Sequence, residues 1–235
     1  MKLNTNSNTY ILAYASLLVI AVAFVLAYFS QALKPIQDKN VALDKKKQII
    51  AALNIRDVND NQVEEYYNKL VEADEIINEK NEVLSAGKPG GENDGFKLNG
   101  GDFKAGKLAL FVCNVDGQKK YVMPVYGMGL WGGISGYIAI NADKETIYGV
   151  YFNHEGETAG LGAEIKDNQK WQQQFCGKHL FADGNQDAVA LSVCKKVDNP
   201  ATQVDGVSGA TLTCDGVTRM IHEGLGKYVV FLKDK

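Results

Sequence analysis

No C-x-x-C pair occurs in this chain. Its four cysteines, Cys113, Cys176, Cys194 and Cys214, also form no Cys/His cluster with zinc spacing. The spacing points to no metal site and to no disulfide, and the cysteines read as buried or half-buried thiols. Net charge is nearly absent as well. Lys and Arg number 25 against 28 Asp and Glu, a formal charge of −3, too small to argue for an acidic substrate. No basic patch interleaved with aromatics is present, so nucleic acid is set aside as a partner. No internal repeat is visible.

One stretch has no charge at all. Tyr10 to Phe29 reads YILAYASLLVIAVAFVLAYF. At about 1.5 Å per residue such a helix spans roughly 30 Å, the thickness of a bilayer's hydrocarbon core. Tyrosine stands at or beside each end, where amphipathic rings prefer the interface. The stretch reads as an uncleaved single-pass anchor. The competing reading is a signal peptide cut near Ser30-Gln31-Ala32. Against it, the apolar run is long and the basic segment before it is only Lys2 and the terminal amine. Lys34, Lys39 and Lys45 to Lys47 follow the anchor, and by charge bias alone would keep the large domain in the cytoplasm.

The fold class expected is α+β. A transmembrane helix (1–33) leads to a helical stalk or linker (34–95), and then to an antiparallel-sheet domain with flanking helices (96–235). Pro35 sits where a helix would break or restart. Val63, Tyr66, Tyr67, Leu70, Val71 and Ile77 follow helical spacing, which predicts a second stalk helix from near Asp60. Strands are predicted at Leu108–Val115 and Lys120–Tyr126, joined by an Asp116-Gly117 hairpin turn. Others are predicted at Tyr137–Asn141, Thr146–Asn153 and Ala188–Val197. A short helix or turn is expected at Trp171–Phe175. A terminal helix from Thr213 to Leu225 would bury Val217, Ile221 and Leu225.

The chemistry concentrates between Asp205 and Thr213, Asp-Gly-Val-Ser-Gly-Ala-Thr-Leu-Thr. A glycine-containing turn leads there into a helix, whose free amides and dipole suit a phosphate. Ser208, Thr211 and Thr213 bring hydroxyl groups to the same place. The plain alternative is a Ser/Thr helix cap. A hydrolase nucleophile elbow fits poorly, because Ala210 stands where G-x-S-x-G needs its second glycine. Gly127-x-Gly129-x-x-Gly132 satisfies a dinucleotide pattern, but an alternating strand follows it instead of a helix. His154-Glu155 is no zincin motif, since Thr158 stands where the second histidine belongs. No residue is singled out for acid–base or nucleophilic catalysis.

Asp205, Ser208, Gly209, Ala210 and Thr211 together resemble the D-x-x-[ST]-G-A-T flavinylation motif of the FMN-binding domain family. Gly127 to Gly132 resembles that family's G-x-G-L-W turn. His154 to Gly162 resembles its H-x-x-E-T-P-G-L-G loop, with Ala159 in place of the proline. Phe175 to Lys178 resembles its F-x-G-K. The anchor and Leu33 to Lys47 extend the likeness to the flavin-bearing subunits of sodium-pumping NADH:quinone reductases. The flavin subunit of Rnf complexes is the runner-up, and a stand-alone flavoprotein remains a further alternative.

The resemblance implies covalent FMN, joined as a phosphoester to Thr211 by a Mg-dependent flavin transferase that uses FAD. It implies an electron relay from NADH toward ubiquinone, coupled to sodium export, among other subunits of a bacterial inner-membrane complex. It places the flavin domain in the periplasm, against the lysine count. On the same footing Leu130, Trp131 and Leu161 are expected to pack on the flavin. Glu157, Thr158, Gly160 and Gly162 are expected to bond the ribityl chain or ring, with Ser208, Gly209, Ala210 and Thr213 around the phosphate. Lys178 is expected to offset phosphate charge.

Overall fold

The computed structural model describes residues 7–234, so Lys2 of the lysine count lies outside it. The chain divides into two compact units, Met1–Asp44 and Lys45–Lys235. From Asn8 onward the first is part of helix α1, Asn8–Ala52, which is long and apolar enough to cross a membrane. Pro35 lies inside α1 and does not end it. Proline removes one amide hydrogen bond, and the turns on either side hold the helix across that gap.

The second unit begins with the last turns of α1, where Ile49, Ile50 and Ala52 are buried, as is Leu53 just past the helix end. Helix α2 is short, Val63–Leu70. The stalk helix expected to run on to Ile77 stops there, and Val71–Ile77 is instead strand β1. It pairs antiparallel with β3, Leu108–Val115, matching Ile77 to Leu108 and Val71 to Cys113. A short β2, Val83–Ser85, edges the sheet. A 3-10 turn at Gly95–Lys97 and helix α3, Gly100–Lys104, precede β3. Strands β4 (Gln118–Met128), β5 (Gly133–Asn141) and β6 (Ile147–His154) complete an antiparallel sheet of order β2-β1-β3-β4-β5-β6. The β3–β4 hairpin turns through Asp116 and Gly117 at φ 51° and 79°. Both values are positive, the geometry that matches strand twist and favours Asp-Gly.

Two short helices, α4 (Glu164–Asp167) and α5 (Gln169–Gln173), follow β6. The strand expected over Ala188–Val197 contracts to β7, Ser192–Cys194, which pairs in parallel with β8, Gln203–Asp205, outside the main sheet. Helix α6, Thr211–Gly226, then crosses β4, and α7, Val229–Lys233, ends the chain. Val217, Ile221 and Leu225 of α6 join Met123, Val125, Ile138 and Phe152 in the main core. The approach is close. A Cβ at Gly127 would lie 2.7 Å from Met220, and one at Gly216 would lie 2.5 Å from the Met128 carbonyl. Tyr67, Phe111 and the end of α1 are also buried. Phe111 meets Tyr137 edge-on, with ring centroids 6.3 Å apart, an arrangement that aromatic quadrupoles favour.

Candidate functional site

The loop Gly206–Ala210 carries the chain from β8 into α6. Gly206 N–H donates to the Cys194 carbonyl at 2.9 Å, and Val207 N–H donates to Cys214 Sγ at 3.3 Å. Burial pushes the Cys214 thiol up, so it stays protonated and serves as a structural acceptor. Trp171 Nε1 donates to the Asp205 carbonyl at 2.8 Å, and Gln174 accepts from Asp205 N–H at 3.3 Å. Gly209 has φ 76°, a left-handed conformation that glycine adopts without strain. A Cβ there would also lie 2.9 Å from Leu161 Cδ2.

The N-cap of α6 is Ala210, which has no side-chain group to cap the helix. Neither Ser208 nor Thr211 takes that role, so the Ser/Thr-cap alternative does not describe this turn. The first-turn amides find no carbonyl within the helix, and the positive end of its dipole sits with them. Thr211 is the first helical residue and is exposed. It lines a cavity of about 300 Å³ with Ser208, Gly209, Cys214, Asp215 and Lys195. A second cavity of about 450 Å³ lies against Gly206–Ser208 and is lined also by Gly160, Asn168, Lys170 and Trp171.

Thr213 behaves differently. It is 1% exposed, and its hydroxyl donates to Glu157 Oε2 at 2.6 Å. Glu157 Oε1 accepts from Trp131 N–H at 2.9 Å. Burial of this carboxyl opposes its ionisation. Hydrogen bonds from Thr213 and from the Trp131, Gly132 and Leu130 amides outweigh that effect, and its pKa falls below the ordinary value. Glu157 and Thr213 therefore hold each other inside the protein. Leu130, Trp131 and Leu161 stand exposed, Trp131 at 69%. Thr158 turns the loop by accepting Leu161 N–H at 3.1 Å and Ala163 N–H at 3.0 Å through its carbonyl. Gly160 is exposed on the same loop, and Gly162 is buried where any Cβ would meet Glu157 and Thr213.

Lys178 does not line either cavity; its ammonium bonds the Pro200 carbonyl. The cations placed at the loop are Lys195 and Lys170, and neither stands in any of the motifs. Lys195 follows β7, and the parallel pairing of Cys194 with Asp205 is what brings it beside the loop. No local pattern encodes that pairing. Among the described residues no cluster of His, Cys, Asp and Glu could hold a metal ion.

The residues present fit FMN. An uncapped helix end and a lysine suit a phosphate. The exposed leucines and indole suit a planar aromatic ring.

Residues 129–226 match the family described as FMN-binding domain. The NqrC protein of Haemophilus ducreyi, the C-subunit of a Na(+)-translocating NADH-quinone reductase, is 31% identical, over 99% of this chain and 97% of its own. The corresponding Chlamydia trachomatis protein is 41% identical over 47% of this chain and 40% of its own. The crystal structure of the Parabacteroides distasonis counterpart superposes with a TM-score of 0.78 at 37% identity, covering 86% of this chain and 98% of that one. NqrC of Shewanella oneidensis gives 0.65 at 27% identity, over 83% and 100%. An end-to-end relative above 30% identity, the matched flavin domain and the shared fold place this chain in the NqrC family, the C-subunits of Na(+)-translocating NADH-quinone reductases.

Proposed function

We propose that this chain carries FMN as a phosphoester on Thr211 and relays electrons within a Na(+)-translocating NADH:quinone reductase, between NADH and ubiquinone, in a process coupled to sodium export. The observation that carries the proposal is an exposed hydroxyl at the first position of a helix whose N-cap residue, Ala210, makes no side-chain cap hydrogen bond. Attachment would form a bond from Thr211 Oγ1 to the FMN phosphorus of FAD. The pyrophosphate bond breaks, AMP leaves, and the hydroxyl proton passes to a base of the flavin transferase. When bound, FMN supplies reversible electron transfer. The amides of Thr211 to Thr213 would hold the phosphate, and Lys195 would offset its charge. Leu130, Trp131 and Leu161 would cover the ring, and Thr158, Gly160 and Ser208 would line the space between ring and phosphate.

The helix within Asn8–Ala52 would anchor the flavin domain at the inner membrane. The periplasmic side follows from the family resemblance and opposes the lysine bias. A phosphoester leaves the ring chemically unmodified, so side chains near it set its potential. The anchor carries no charge from Tyr10 to Phe29, so it forms no ion path itself. Sodium transport then belongs to partner subunits.

Co-expression with a flavin transferase tests the attachment. In-gel flavin fluorescence should stay with the denatured wild-type band, vanish in Thr211→Ala, and persist in Thr211→Ser. Fluorescent Thr211→Ala protein would refute the assignment. Co-purification with membrane partners separates a member of a complex from a stand-alone carrier.

A further inference from the structure

A ring joined through a flexible ribityl chain is tethered at one point only. Its orientation then depends on whatever fixes the ring-facing side chains relative to that point. Leu130 and Trp131 belong to the β4–β5 turn, closed by Gly129 N–H donating to the Gly132 carbonyl at 2.9 Å. Thr211 belongs to α6. One side chain joins the two. Glu157 is 7% exposed; one carboxylate oxygen takes the Trp131 amide and the other takes the Thr213 hydroxyl. Its own backbone is held too, since Glu157 N–H donates to His154 Nδ1 at 3.2 Å.

The surrounding sequence makes room for this bridge. A Cβ at Gly162 would lie 2.5 Å from Glu157 Oε2 and 2.7 Å from Thr213 Oγ1, and one at Gly129 would overlap Glu157 Oε1. Two glycines of separate loops thus face the same carboxylate. Such a carboxylate is charged, bears strong hydrogen bonds and has little freedom to move.

We propose that Glu157 is a positioning residue that locks the Leu130–Trp131 turn to the first turn of the flavin-bearing helix, and so fixes the flavin ring against Trp131. This rests on the attachment at Thr211 proposed above. Both carboxylate oxygens of Glu157 already accept hydrogen bonds from the protein. The same bridge selects the attachment residue. Thr213 donates its hydroxyl proton inward and is buried, whereas Thr211, two positions earlier, is free to react.

The test uses the full-length chain matured with its transferase and purified in detergent. Intact mass reports attachment, and flavin fluorescence, visible circular dichroism and midpoint potential report ring placement. Indole in contact with a flavin quenches its emission. Glu157→Met fills similar space but accepts no hydrogen bond, and Thr213→Val removes one donor. Both are expected to keep FMN on Thr211 while emission rises and the potential shifts. Glu157→Gln can still accept from the Trp131 amide and should restore the wild-type spectrum. Trp131→Phe should raise emission alone, and adding Glu157→Met to it should raise it no further.

A flavinylated Glu157→Met protein with wild-type emission, dichroism and potential overturns the proposal. Should that variant not fold, Thr213→Val decides on the same readouts. FMN found on Thr213 in the wild type overturns the selection argument. A wild type lacking any FMN refutes the attachment reading itself, which separates the two failures.

Discussion

Thr211 and Thr213 are two residues apart on one helix and have opposite surroundings. Burial and a carboxylate partner occupy one hydroxyl; the other faces a cavity beside Lys195. Glu157 also ties stability to pH. Its folded-state pKa lies below the ordinary glutamate value of 4.5. Its contribution is therefore fully present above about 4.5, where unfolded glutamate is already ionised, and is lost as pH falls through the lower folded value. Urea unfolding across pH 7 to 3 should show wild type losing stability below 4.5 and Glu157→Gln losing less over the same interval. Equal losses would remove Glu157 from the account. For the cations, Lys195→Gln should slow flavin attachment several-fold at low salt, an effect that shrinks as salt screens it. Lys178→Gln should leave the rate unchanged, as measured by intact mass over time.

The helix start at Thr211 and the turns that carry the exposed Leu130, Trp131 and Leu161 are legible in the sequence because each lies in a short contiguous motif. Lys195 is not, because its place depends on β7 lying beside β8, and those strands are only three residues long. The engagement of Glu157 by Thr213 is hidden for the same reason. The partners are 56 residues apart and meet only once α6 has docked.

Among elements, the hairpins are the most legible. Asp116-Gly117 sets its own turn, and the flanking apolar runs need only their neighbour. Val71–Ile77 reads as helix because Val63, Tyr67 and Leu70 begin a true helical stripe that Val71 and Ile77 happen to extend. Its strand character comes from β3, more than 30 residues later in the chain. The docking of α6 on β4 turns on glycine. Besides Gly127 and Gly216, a Cβ at Gly224 would lie 2.7 Å from Val125 Cγ1. Gly216→Val should cost about 1–3 kcal/mol by overpacking, read as a lowered urea midpoint with an unchanged slope. A midpoint equal to wild type would mean that the helix can move off β4 freely.

The molecule as a whole joins a membrane-length helix to a compact unit that begins partway along that same helix. A chain starting at Lys45 should fold and remain soluble without detergent. One starting at Ile55 loses the buried Ile49, Ile50 and Leu53. Truncation of each such side chain typically costs about 2–5 kcal/mol, so the shorter chain should melt well below the longer one by calorimetry. Similar melting temperatures would show that the last turns of α1 add nothing to the core.

Because the Ala210 side chain offers α6 no oxygen, the amides of the first turn have no side-chain acceptor at the end that carries Thr211. A phosphate seated there would supply the missing acceptor, worth about 1 kcal/mol by analogy with side-chain caps. Under the proposed attachment, loading would then steady the helix end as well as supply the flavin. On the attachment proposed above, limited proteolysis should then nick the unloaded chain between Gly206 and Thr213 faster than the loaded one.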